Sequence, residues 1–266
     1  MVDALAITGS TRIYALLGDP VAQVRAPSLL NPLLAERSVD AVLIPVHVAP
    51  TEFAQVVGGL RRIGNLHGML VTVPHKAAAL ALADRASPGA ILSASANALR
   101  REPDGAWLAD TFDGVGFVRG LGNAGHTPKG KRVCLVGAGG AGSAIAVALL
   151  EAGAAALDVV DLDPGRLGTL VDRLAPAYPG RVTGATRFRP DEVDIAVNAT
   201  PLGMRHDDPL PFDPARLAPG TVVADIIMSP ATTPLLAAAR SLGHQVHPGI
   251  HMLANQLDSY LDFFGL

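Results

Sequence analysis

Along this chain short apolar runs alternate with amphipathic stretches, and the alternation predicts most of its elements. Residues 14–18 are apolar and end at Gly18-Asp19-Pro20, which predicts a strand closed by a turn. Behind Pro27, a residue suited to a helix start, residues 28–37 carry apolar side chains at helical spacing. The β-branched run 41–48 predicts a strand, 52–63 a helix stopped by Gly64, 68–73 another strand and 76–83 a helix. Residues 90–99 lead through a polar segment to Trp107 and then to 110–114. A short helix over 115–121 opens a second series. It predicts strands at 133–136, 156–160, 194–198 and 222–226, with helices from 143–150, 165–174 and 234–242. A last amphipathic stretch, 250–264, is long enough for one closing helix. The order implies an α/β protein of two domains, one spanning 1–112 and closed by 249–266, the other spanning 113–248. A cleft between two such domains is a preferred ligand site.

One junction in this pattern carries more than fold information. The buried-type strand 133–136 runs into Gly137, Gly139 and Gly142, a G-x-G-x-x-G turn that opens the next helix. Gly137 permits the tight turn, Gly139 lets backbone approach a pyrophosphate, and Gly142 lets the helix pack close to the strand. The next strand ends in Asp161, about 20 residues on, where a carboxylate would bond the adenosine ribose. The second domain therefore reads as a Rossmann-like, doubly wound dinucleotide-binding domain.

Composition narrows the classes. The 266 residues are 49% hydrophobic, yet no apolar run has membrane-spanning length. A formal charge of −3 without a basic block argues against nucleic acid as a partner. Residues 1–10 lack the basic flank and apolar length of a secretory signal, so a soluble cytoplasmic protein is expected. The one cysteine, Cys134, lies inside a predicted strand and reads as core. Three lysines occur, and Lys76 is the only one before residue 129, where arginine is otherwise preferred. At a helix start it faces the positive end of the dipole, which suits an amine that exchanges its proton.

Other segments gather polar chemistry: V-T-V-P-H-K with Thr72 and Lys76, S-A-N-A with Asn97, D-T-F-D-G-V-G with Asp113, N-A-T-P-L-G-M from Asn198 to Met204, and G-I-H-M-L-A-N-Q ending at Gln256. Taken in this order with the glycine loop, they resemble the shikimate dehydrogenase family, including its quinate-using members, over nearly the whole chain. The resemblance implies a substrate-binding catalytic domain followed by an NAD(P)-binding domain. It implies an oxidoreductase moving hydride between a nicotinamide cofactor and a ring hydroxyl of a small cyclic hydroxy acid, as in aromatic amino acid biosynthesis. By resemblance Lys76 and Asp113 are catalytic, and Thr72, Asn97 and Gln256 contact the polyol. Gly137, Ala138, Gly139, Gly140, Ala141, Gly142 and Asp161 hold the cofactor, with Asn198, Thr200, Gly203 and Met204 on the nicotinamide side.

The chain departs from the family at the substrate. Val24 and Ala26 stand where two serines hold the substrate carboxylate, with Arg25 between them. Met228 replaces a tyrosine that reaches the substrate, and Phe112 a small polar residue. Two lost hydrogen bonds to a charged group, at about 1.5–3 kcal/mol each, would cost shikimate about 100-fold or more in affinity. Asp161-Leu162-Asp163 replaces the Asn-Arg-Thr-like clamp of NADP users, so NAD is expected over NADP, with Arg166 turned to solvent. The alternative is an NAD-binding sensor on the same fold without turnover. His244, His247 and His251 are interrupted by Pro248 and Gly249 and imply no metal site. His75 is expected to tune Lys76 or to be exposed. A homodimer is compatible with the sequence.

Overall fold

The computed structural model describes residues 7–190 and 192–266. The chain forms two compact units, Met1–Phe112 with Gln256–Leu266, and Asp113–Asn255. The first contains β1 (Arg12–Gly18), α1 (Ala26–Glu36), β2 (Ala41–His47), α2 (Phe53–Leu60), β3 (Leu66–Val71), α3 (Lys76–Ala81), β4 (Arg85–Ala86), α4 (Pro88–Ser93), β5 (Ala98–Arg101) and β6 (Trp107–Asp110). Its sheet runs β2-β1-β3-β5-β6-β4. The first three strands are parallel, and β5 reverses against both β3 and β6. Leu17, Val57, Met69, Leu99 and Trp107 form its core. The β5–β6 hairpin escapes the hydrophobic pattern because arginine stems replace apolar side chains on it. Arg100 lies over the Phe263 ring at 4.8 Å and Arg101 over Trp107 at 5.4 Å, so the strand reads as polar while covering aromatic surface.

The second unit contains α5 (Asp113–Asn123), β7 (Arg132–Val136), α6 (Gly140–Glu151), β8 (Ala156–Val160), α7 (Pro164–Leu174), β9 (Val182–Ala185), β10 (Ile195–Asn198), β11 (Val222–Asp225), α8 (Pro234–Ser241), β12 (Gln245–His247) and α9 (Ile250–Ala254). Its strands are parallel in the order β12-β11-β10-β7-β8-β9. That is the doubly wound arrangement, with the strand order reversing between β7 and β10. Helix α6 is buried from Gly142 through Leu150, hence its lack of a polar face. It packs so closely on α5 that a Cβ on Gly114 would run into the Ala144 carbonyl. The edge strands β9 and β12, V-T-G-A and Q-V-H, are too short and polar for the periodicity to reveal.

The expected single closing helix is two helices. The Asn255 side chain turns back to donate to the His251 carbonyl at 2.8 Å, beside the Asn255 N–H that bonds the same carbonyl at 3.1 Å, and closes the last turn of α9. The chain breaks there and resumes as α10 (Leu257–Phe264), in the first unit. Among the described residues no helix is long and apolar enough to cross a membrane.

His247 introduces an acid sensitivity into the second unit. Its ring is buried between Phe117, edge-on at 5.7 Å, and His251, stacked at 4.9 Å. Neither ring nitrogen has a hydrogen-bond partner among the described residues. Burial, with His251 and His126 adding like charge, pushes its pKa down to about 4 from 6.5. The unfolded chain therefore takes up a proton that the fold refuses. Stability is complete above pH 6.5 and is lost as pH falls from 6.5 toward about 4, by at most about 3 kcal/mol. His247→Leu should flatten this part of the Tm-against-pH curve; an unchanged slope would remove His247 as its source.

Candidate active site

In the first unit, Thr72 and Lys76 bracket the turn from β3 into α3. The Thr72 N–H donates to the Leu17 carbonyl at 2.9 Å, pinning it to the end of β1. Lys76 is the first residue of α3 and is 7% exposed. Its carbonyl accepts from the Ala96 N–H at 3.0 Å, which ties it to the segment carrying Asn97. His75 is buried rather than exposed: its Nε2 meets the Val48 carbonyl at 2.7 Å and its ring stacks on Phe53 at 4.3 Å. It anchors the start of α3.

Asn97 and Gln256, far apart in sequence, are brought together. Asn97 Nδ2 donates to Gln256 Oε1 at 3.3 Å and to the Tyr260 hydroxyl at 3.0 Å, while its Oδ1 accepts from the Phe112 N–H at 2.9 Å. The Tyr260 hydroxyl in turn donates to Gln256 Oε1. Tyr260 was not among the expected residues, although its position one helical turn beyond Gln256 is a signal for it. Phe112 meets Tyr260 edge-on at 5.6 Å and Phe263 at 5.3 Å. Ala26 is buried as the first residue of α1, Val24 is half-buried, and Arg25 between them is exposed at the N-cap without a side-chain cap bond.

In the second unit, Asp113 begins α5 and is 4% exposed. The glycine loop fits a pyrophosphate. Gly137 adopts φ +108°, a left-handed conformation that favours glycine, and a Cβ on Gly142 would overlap the Gly137 carbonyl oxygen. A Cβ on Gly139 would meet nothing within 4 Å, so the backbone there faces open space. Helix α6 starts beyond Gly139 without a side-chain cap, leaving its first N–H groups for an anion.

At the end of β8, Asp161 Oδ2 accepts from the Ala138 N–H at 2.8 Å and Oδ1 from the Asp163 N–H at 2.9 Å. Asp163 caps α7, accepting from the N–H groups of Gly165 and Arg166. Arg166 is exposed, as expected, and its guanidinium lies 3.6 Å from Asp161 and 3.8 Å from Asp163. The helical offset from Asp163 places it there. Leu162 is 85% exposed.

The loop after β10 is organised by Asn198. Its Oδ1 accepts from the Thr200 N–H at 3.0 Å and hydroxyl at 2.6 Å, and its amide donates to the Leu202 carbonyl at 3.1 Å. Gly203 turns with φ +109°, its N–H bonded to Asp208, and leaves Met204 exposed. Met228 is half-buried on the loop after β11. Among the described residues no cluster of His, Cys, Asp or Glu could hold a metal ion.

Residues 16–99 match the family model described as shikimate dehydrogenase substrate binding domain. A shikimate dehydrogenase (NADP(+)) from Rubrobacter xylanophilus is 39% identical over 255 residues, covering 94% of this chain and 89% of the relative. The quinate dehydrogenase of Corynebacterium glutamicum, solved with NAD, superposes with a TM-score of 0.85 at 29% identity, covering 96% of this chain and 94% of that one. The 5-ketofructose reductase of Gluconobacter sp. strain CHM43 gives a TM-score of 0.84 at 28% identity, covering 96% and 92%. Sequence identity at this level along nearly the whole chain, over both a substrate-domain match and a doubly wound glycine-loop unit, shows that the chain belongs to the shikimate dehydrogenase family of oxidoreductases.

Proposed function

We propose that the chain transfers hydride between a nicotinamide cofactor, NAD in preference to NADP, and a ring hydroxyl of shikimate or a related cyclic hydroxy acid. When bound, the nicotinamide supplies the redox chemistry; the chain must supply a group for the hydroxyl proton. Lys76 is that group, with Asp113 orienting the reacting hydroxyl, and Thr72, Asn97 and Gln256 hold the other hydroxyls in register. The glycine loop binds the pyrophosphate, residues 198–204 serve the nicotinamide side, and Met228 lines the substrate pocket.

The observation that carries the NAD preference is the charge at the end of β8. Asp161, Asp163 and Arg166 together leave one negative charge, and the guanidinium is already engaged by both carboxylates. A 2′-phosphate would have to displace those pairs and meet two carboxylates, whereas a ribose hydroxyl can donate to Asp161. The test is initial-rate measurement with shikimate and with quinate, each paired with NAD and NADP. NAD should lead in kcat/KM by at least about 10-fold, a difference of about 1.4 kcal/mol. A lead for NADP would overturn the argument from Asp161.

A second reading concerns substrate class. Neither Val24 nor Ala26 offers a hydroxyl to a carboxylate, and one structural relative is a reductase named for a neutral ketose. Activity on 5-ketofructose with none on either ring acid would favour it.

A further inference from the structure

Strands β10 and β11 end, side by side in register, in two polar residues buried to 0% exposure, Asn198 and Asp225. Asp225 Oδ1 accepts from the Asn198 amide at 3.2 Å and from the Ile227 N–H at 3.0 Å. Its Oδ2 accepts from the Thr233 hydroxyl at 2.8 Å, and Thr233 caps α8 through the Leu236 N–H. One carboxylate thus ties together the loop 198–204, the loop 226–233 and the start of α8. Its named partners are neutral donors, and burial raises its pKa above the ordinary aspartate value against the pull of those three bonds. An apolar residue would end β11 without the cost of burying an acid. The reason for the acid lies in what it holds.

Dinucleotides cross the carboxyl edge of a doubly wound sheet at the switch point. The glycine loop and Asp161 put the adenosine half over β7 and β8, which leaves the loops after β10 and β11 for the other half. We propose that Asp225 is a positioning residue for the nicotinamide half of the cofactor, fixing the loops 198–204 and 226–233 in one register through Asn198 and Thr233. This rests on the reading of the chain as a nicotinamide-dependent enzyme.

The test is calorimetric titration of wild type, Asp225→Asn, Thr233→Val and Thr233→Ser with NAD and with ADP-ribose, which lacks the nicotinamide. Bound-NADH fluorescence provides a second readout of the ring's surroundings. Asp225→Asn should weaken NAD about 10-fold or more while ADP-ribose stays within about twofold. Its bound-NADH emission should move toward that of free NADH. Thr233→Val should shift the same way by less, and Thr233→Ser, which keeps the hydroxyl, should behave as wild type. Equal losses for NAD and ADP-ribose would make Asp225 a structural residue and overturn the proposal, as would no loss for either. If Asp225→Asn does not fold, the two threonine variants decide by the same criterion. Wild type that binds neither NAD nor NADP would sink the cofactor reading, and this proposal with it; that failure shows in the wild-type titration alone.

Discussion

Lys76→Ala should abolish turnover and leave the cofactor bound. General acid–base catalysis by a positioned side chain contributes about 10²–10⁴-fold, so kcat should fall by that factor once the amine is gone. The substitution is mild for the fold: Lys76 opens α3, alanine is a strong helix former, and the backbone there is held by the Ala96 N–H. His75, stacked on Phe53 and bonded to the Val48 carbonyl, keeps the helix start in place without the lysine. The glycine loop belongs to the other unit, so the Kd for NAD should stay within about twofold. Lys76→Arg sharpens the test. Arginine keeps the positive charge but does not release its proton near neutrality, so a proton-transfer role predicts that it too is inactive, whereas a purely electrostatic role predicts partial rescue. Activity above about a tenth of wild type in Lys76→Ala would remove Lys76 from the chemistry and revive a binding protein without turnover.

The parts of this protein legible in its sequence are those where one residue type answers one physical demand. Strand β7 is buried on both faces from Val133 to Val136 and reads as a continuous apolar run; Gly137 and Gly142 behind it are required by close backbone approach. What stayed hidden depends on partners distant along the chain. The β5–β6 hairpin is covered by arginine stems over Trp107 and Phe263, which composition records as charge. The break between α9 and α10 falls at Asn255 and Gln256, inside a stretch whose periodicity continues across it. Arg166 sits one helical turn beyond Asp163, yet its pairing with Asp161 depends on how β8 delivers the chain into α7. Tyr260 and Asp225 carry no motif of their own. Each gains its place from a neighbour, Gln256 in one case and Asn198 in the other, that the sequence did single out.

Gly142→Ala should cost the protein its dinucleotide affinity, by about 100-fold or more. Alanine is worth up to about 1 kcal/mol more than glycine within a helix, which favours the variant. Against this, its Cβ would overlap the Gly137 carbonyl oxygen, approach the Gly137 carbonyl carbon at 3.0 Å and touch Ala199 Cβ at 3.4 Å. The first two are backbone atoms, so no rotamer change relieves the overlap. Gly137 cannot retreat freely, because the Ala199 carbonyl lies so close behind it that a Cβ placed on Gly137 would sit only 2.8 Å away. Either α6 moves away from β7 or the loop reshapes, at about 1–3 kcal/mol of overpacking, and both displace the N–H groups meant for the pyrophosphate. A shift of about 1 Å in such a cradle is enough for a 100-fold loss. Gly139→Ala separates the two contributions. Its Cβ meets nothing within 4 Å, and φ −74° suits any residue, so the free protein should lose less than about 1 kcal/mol, the cost of alanine at an N-cap. If NAD affinity nevertheless falls at least about 10-fold with Tm nearly unchanged, the methyl must be occupying space that the ligand needs. If NAD binds Gly139→Ala as well as wild type, the pyrophosphate does not approach that backbone, and the loop's geometry has been matched to the wrong part of the molecule.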